Sequence, residues 1–193
     1  ENRHFDGGHN TGSIIVTNGI FTGELVTTEG ATWSITGGTF SSDPSTFLAP
    51  DYKSVETSTG VWTVEKKDWK TDYKADGTEM PSGVVIDVKE VTDTKGVKHA
   101  YATVTLNNVE AFKYFTQIFN MEDARSARET ALNNGTTERY PGESVHNNYN
   151  IWYRAYGQVH VEMACNVDLG GMEVKPFTEC RTFDGKGHTI KNA

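Results

Sequence analysis

Apolar residues in the first 64 positions fall in runs of three to five, each closed by a glycine-bearing turn. Ser13-Ile14-Ile15-Val16-Thr17 precedes Asn18-Gly19, and Ile20-Phe21-Thr22 precedes Gly23. Leu25-Val26-Thr27 precedes Glu29-Gly30, and Trp33-Ser34-Ile35-Thr36 precedes Gly37-Gly38. Strands this short are ill suited to a sandwich and fit the sides of a coil, where each side is brief and a tight corner follows. After Pro44 the pattern stops. A turn or 3₁₀ segment is expected over 45–52 and one extended segment over 54–64.

Residues 65–83 are polar and irregular, the composition of a linker. A β-hairpin is predicted next, with strands over 84–91 and 99–106 and Thr92-Asp93-Thr94-Lys95-Gly96 as the turn. From Asn108, a good N-cap, the spacing of Ala111, Phe112, Phe115, Ile118 and Phe119 predicts an amphipathic helix. It continues more weakly through Ala124, Ala127, Ala131 and Leu132 to Asn133-Asn134-Gly135, with Met121-Glu122-Asp123 as a candidate break. Its aromatic stripe suits a core-facing surface. Residues 136–158 are loop-like, and alternation returns over 159–167.

Composition narrows the field. Apolar residues make up 36% and glycines number 19, which favours a turn-rich β protein with a thin core. The net charge of −8, with no basic stripe, argues against nucleic-acid binding. No apolar run is long enough to span a membrane. The chain opens on Glu1-Asn2-Arg3, as expected of a mature or excised segment. Two cysteines, Cys165 and Cys180, leave two readings: a pair of buried thiols, or one disulfide between neighbouring turns. Neither has a ligand-spaced companion, so no metal is expected there.

The end of the chain is the most specific stretch. Val167-Asp168-Leu169-Gly170-Gly171, Pro176-Phe177 and Thr182-Phe183-Asp184-Gly185-Lys186-Gly187-His188-Thr189-Ile190 resemble the opening coils of right-handed parallel β-helices. The family concerned is that of large surface, adhesin-like proteins of gut and other host-associated bacteria. The resemblance implies a helix ending in Asn-Gly that caps the first coil, the place held here by 108–135. The aromatic loop at 136–158 departs from that pattern. Ile35-Thr36-Gly37-Gly38-Thr39-Phe40 through Pro44, with Leu48-Ala49-Pro50-Asp51-Tyr52, resembles the stretch that closes such a β-helix at its C-terminal end. Arg3-His4-Phe5-Asp6-Gly7-Gly8-His9 reads as a second copy of the Arg181–His188 corner.

The expected fold is therefore mainly β: right-handed parallel β-helix coils with one amphipathic capping helix and a β-hairpin insertion. The divisions are 1–64 (closing coils), 65–107 (linker and hairpin) and 108–193 (capping helix, aromatic loop and first coils). A closing piece thus precedes an opening piece. The free coil edges are expected to be completed within the chain, by head-to-tail stacking of copies, or in a longer tandem array.

No residues form a convincing catalytic set, and no cofactor is expected. A polysaccharide lyase or hydrolase is the alternative by fold analogy, with Asp6, Asp168 and Asp184 beside Arg3, Arg181 and His188 as candidates. The competing reading makes those aspartates corner residues that bond their own backbone. His4, His9 and His188 are a weak metal combination, and Asn134-Gly135-Thr136 matches a glycosylation sequon. The binding candidates are Tyr149, Trp152, Tyr153 and Tyr156 with Arg154, near Tyr140, since clustered rings with amide neighbours suit sugar stacking or a protein interface. Packing of those rings onto the coils is the other reading. The function expected is a non-enzymatic module, structural or adhesive, of a bacterial extracellular or cell-surface protein, with itself, a host glycan or a host protein as partner.

Overall fold

The computed structural model describes residues 12–26, 30–143, 151–152, 159–175 and 180–193. The chain is mainly β and divides into two compact units, Glu1–Lys67 and Asp68–Ala193.

In the first unit, β1 (Ser13–Val16) runs parallel to β3 (Thr32–Ile35), and β2 (Ile20–Phe21) runs parallel to β4 (Thr39–Phe40). Ser13 lies opposite Thr32 and Phe21 opposite Phe40, each 19 residues on, so two strand pairs share one offset. The corners between them stack as well: the Thr36 N–H donates to Val16 O at 2.8 Å, and the Thr39 N–H to Gly19 O at 2.8 Å. A Cβ at Gly37 would stand 2.3 Å from Thr17 O, so only glycine permits this approach. Each strand–corner–strand stretch is one rung.

Side chains align in columns through the rungs. The Phe21 and Phe40 rings stack with centroids 4.9 Å apart, and Val16 lies opposite the fully buried Ile35. A short 3₁₀ turn, Ser45–Phe47, then brings Leu48 into a parallel bridge with Ile35. The segment expected as one extended run is a hairpin, β5 (Tyr52–Ser58) and β6 (Val61–Lys66), turning where Gly60 has φ +71°. β6 pairs antiparallel with β4, which ends the parallel ladder on that side.

In the second unit, β7 (Val84–Thr92) and β8 (Lys98–Leu106) form the expected hairpin, but it is no separate insertion. β8 pairs parallel with β9 (Val159–Met163), and β9 with β11 (Thr182–Asp184), in the order β11-β9-β8-β7. The reason lies in β8, which alternates buried Ala100, Ala102, Val104 and Leu106 with outward residues and must cover a shared core. β10 (Val167–Asp168) pairs parallel with β12 (Ile190–Lys191). Rungs recur here too: His160 faces Thr182, 22 residues on, and Val167 faces Ile190, 23 on.

The single expected helix is two. α1 (Val109–Gln117) starts where Asn108 Oδ1 accepts the Ala111 N–H at 2.8 Å. α2 (Met121–Asn133) is capped anew by Asn120, whose side chain accepts from the Glu122 and Asp123 N–H groups. The second cap ends the first helix at the candidate break. Phe112, Phe115 and Tyr114 are buried against the sheet core. The Tyr114 hydroxyl donates to Lys74 O at 2.7 Å and its ring meets Tyr73 edge-on, so part of the expected linker is fastened to α1. Burial pushes the Tyr114 phenol far above its usual range.

Candidate functional site

The outward face of the β11-β9-β8-β7 sheet gathers the most varied side chains. Strand register places Asp87, Thr103, His160 and Thr182 in one row, and Val85, Thr105, Glu162 and Asp184 in the next. The Tyr101 and His160 rings stack with centroids 6.3 Å apart, and His160 Nδ1 lies 2.7 Å from Thr182 Oγ1. Lys186 Nζ sits 2.9 Å from Glu162 and 3.2 Å from Asp184. This array of rings, hydroxyls and ion pairs suits contact with a polar surface. It was missed in the sequence because its rows join residues far apart in the chain, 57 positions from Thr103 to His160 and 99 from Val85 to Asp184.

The expected binding cluster fares differently. Trp152 is buried, with its ring 5.3 Å from that of Phe119, so it is a core residue rather than an open platform. Tyr149, Tyr153, Arg154 and Tyr156 lie outside the described residues. Tyr140 is exposed, and the Arg128 guanidinium stands 4.2 Å above its ring. Arg128 in turn grips Glu143 through two bonds, Nε at 2.8 Å and an Nη at 2.6 Å. A buried charge pair this close leaves no mark in a sequence where its members are 15 residues apart.

The carboxylates weighed for catalysis occupy turns. Asp168 Oδ1 accepts from Gly170 N–H and from Asn192 Nδ2, and Asp184 Oδ1 accepts the Lys186 N–H at 2.8 Å. They stand on different sheets, β10-β12 and β11-β9-β8-β7. Arg181 donates its N–H to Val159 O and His188 its N–H to Gly185 O. Arg3, His4, Asp6 and His9 lie outside the described residues. Among the described residues no group of three His, Cys, Asp or Glu is placed to hold a metal. Cys165 and Cys180 are free thiols, both half-buried. Burial raises both above their usual value, with Glu110 adding to the effect on Cys165, so both stay protonated and weakly nucleophilic at neutral pH.

Four turn aspartates are held below the ordinary carboxylate value of 3.8 by donors aimed at them. The Thr78 hydroxyl lowers Asp76, the Val97 N–H Asp93, the Asn192 amide Asp168, and the Lys186 N–H Asp184. Each folded value is depressed, so each contributes stability that is present above the unfolded value and lost as pH falls through the folded one. The melting temperature is expected to stay level from neutral pH to about pH 5 and to drop below about pH 4, the ordinary carboxylate range. A calorimetric pH series checks this, and a fall that begins above pH 6 contradicts it.

No protein-family model, curated protein or solved structure matches the chain. No helix among the described residues is long and apolar enough to cross a membrane.

Proposed function

We propose that the chain is a non-enzymatic structural or adhesive module of a bacterial extracellular or cell-surface protein, built from two stretches of right-handed parallel β-helix. The observation that carries this reading is the repeated offset. Strands one rung apart pair in parallel at 19 residues in the first unit and at 22–23 in the second, on two sides of each rung. A solenoid is the arrangement in which such offsets recur, because each rung rests on its neighbour. The capping devices support it further. An antiparallel hairpin follows the last rung of the first unit, while a hairpin and α1 precede the first rung of the second. The first unit therefore has the form of a solenoid's end and the second that of a solenoid's beginning, in keeping with the surface-protein resemblance.

Duplicating residues 20–38 tests the reading directly. One extra rung is expected to be accepted, with cooperative unfolding kept and the melting temperature held or raised. Duplicating half that length puts every later side chain out of column and is expected to unfold the first unit. Equal damage from both insertions would sink the proposal.

The partners follow from the same surfaces. Ile14, Phe183 and Ile190 are 36%, 36% and 38% exposed, whereas Val161 and Val167, the ladder partners of Phe183 and Ile190, are buried. A rung from a second copy would cover them. Light scattering on wild type and on Phe183→Asp reads this, since self-stacking requires that the variant lose the association. A monomer at every concentration rejects self-stacking and leaves the solenoid intact. Host glycan or protein is the partner proposed for the outward sheet face and for Tyr149, Tyr153, Arg154 and Tyr156. Incubation with acidic polysaccharides separates the lyase alternative, which predicts a rise in unsaturated-sugar absorbance.

A further inference from the structure

We infer that Asn18 is a site of spontaneous modification, a slow deamidation that alters the corner between β1 and β2. The chain has two Asn-Gly pairs, Asn18-Gly19 and Asn134-Gly135, and glycine leaves the following amide nitrogen open to approach. The structure sets the two pairs in different states. At the first, Asn18 and Gly19 are both exposed, and the Gly19 N–H donates to Asn18 Oδ1 at 2.8 Å. The amide nitrogen is thereby held beside the side-chain carbonyl that it must attack. At the second, the Gly135 N–H donates to Leu132 O and the Thr136 N–H to Ala131 O at the end of α2. That nitrogen is engaged by a helix-terminal carbonyl instead.

The step balances without a redox partner. Hydroxide or a buffer base takes the Gly19 amide proton, and the nitrogen forms a bond to Asn18 Cγ. The Cγ–Nδ2 bond breaks as the side-chain nitrogen takes that proton back from the conjugate acid of the base and leaves as ammonia, so a five-membered succinimide remains. Water then opens one of its two C–N bonds, yielding aspartate or isoaspartate. Either product carries a carboxylate where the asparagine was neutral. In isoaspartate the main chain also runs through the former side-chain carbon and is one carbon longer.

Position gives the change its consequence. Gly19 O accepts the Thr39 N–H, and the corner lies against Gly37 and Gly38 with little space between. One extra main-chain carbon there moves β2 against β4 and disturbs the Phe21–Phe40 stack. The modification thus acts as a slow clock on the first unit's rung pairing.

The test is incubation of the folded chain at mildly alkaline pH, followed by peptide mass mapping and enzymatic detection of isoaspartate. A synthetic peptide spanning Thr17–Phe21 runs alongside. Conversion at Asn18 is expected several-fold faster than at Asn134, and the isoaspartyl fraction is expected to lose hydrogen-exchange protection at Thr39. Asn18→Gln should abolish the first signal while leaving Asn134 unchanged. Conversion of the peptide with none in the folded chain, or equal rates at the two asparagines, overturns the inference.

Discussion

Replacing Glu143 with alanine is expected to lower the stability of the Asp68–Ala193 unit by about 3–5 kcal/mol, the usual cost of stranding one member of a buried ion pair. The Glu143 side chain has 0% exposure and that of Arg128 11%. Besides its two bonds to Arg128, the carboxylate accepts the Tyr140 N–H at 2.9 Å, while Arg128 also donates to Glu138 O. Alanine therefore leaves a guanidinium with little water and no counter-charge, and a backbone donor without its acceptor. Urea unfolding is the measurement, with Glu65→Ala as the comparison. Glu65 meets Lys53 at 3.3 Å on the surface, where such a pair contributes about 0–1 kcal/mol. The Arg128→Met, Glu143→Ala double variant should recover part of the loss, because it removes the buried charge together with its partner. Similar midpoint shifts for Glu143→Ala and Glu65→Ala would refute the account.

Local order was legible in the sequence where a short stretch decides its own conformation. The glycine corners at Gly19 and Gly38, the Asn108 cap and the hairpin around Gly96 all depend on residues within a turn of one another, and all stand where composition placed them. Pairing over distance was less legible. Nothing in Lys98–Leu106 announces that its other neighbour is Val159–Met163, since an alternating strand specifies which face is apolar and not which strand lies beside it. The same gap explains the hairpin hidden in 52–66: Thr59-Gly60 is a turn that a single extended run passed over. At the candidate site the limit was of another kind. Aromatic rings bind ligands and fill cores with the same surface, and their spacing along the chain does not distinguish the two uses.

Trp152 is the residue on which that distinction can be measured. Its indole lies in the cluster formed with Ile151, Phe119 and the sheet residues, and the neighbouring Phe119 ring also stacks on Phe115 at 4.7 Å. Trp152→Ala removes the largest side chain of this group and opens a cavity where the surrounding rings can only partly collapse, a change that costs about 3–5 kcal/mol. The cost should fall on the Asp68–Ala193 unit alone, and Trp152→Phe should restore much of it by refilling the space. Thermal unfolding of the three proteins, with glycan-array binding on the same samples, separates packing from recognition. A melting temperature lowered by several degrees in Trp152→Ala and recovered in Trp152→Phe assigns the ring to the core. Unchanged melting with binding lost would assign it to a ligand. The burial and the Phe119 contact predict the first result, because a side chain already enclosed by its own protein has little surface left to offer a sugar.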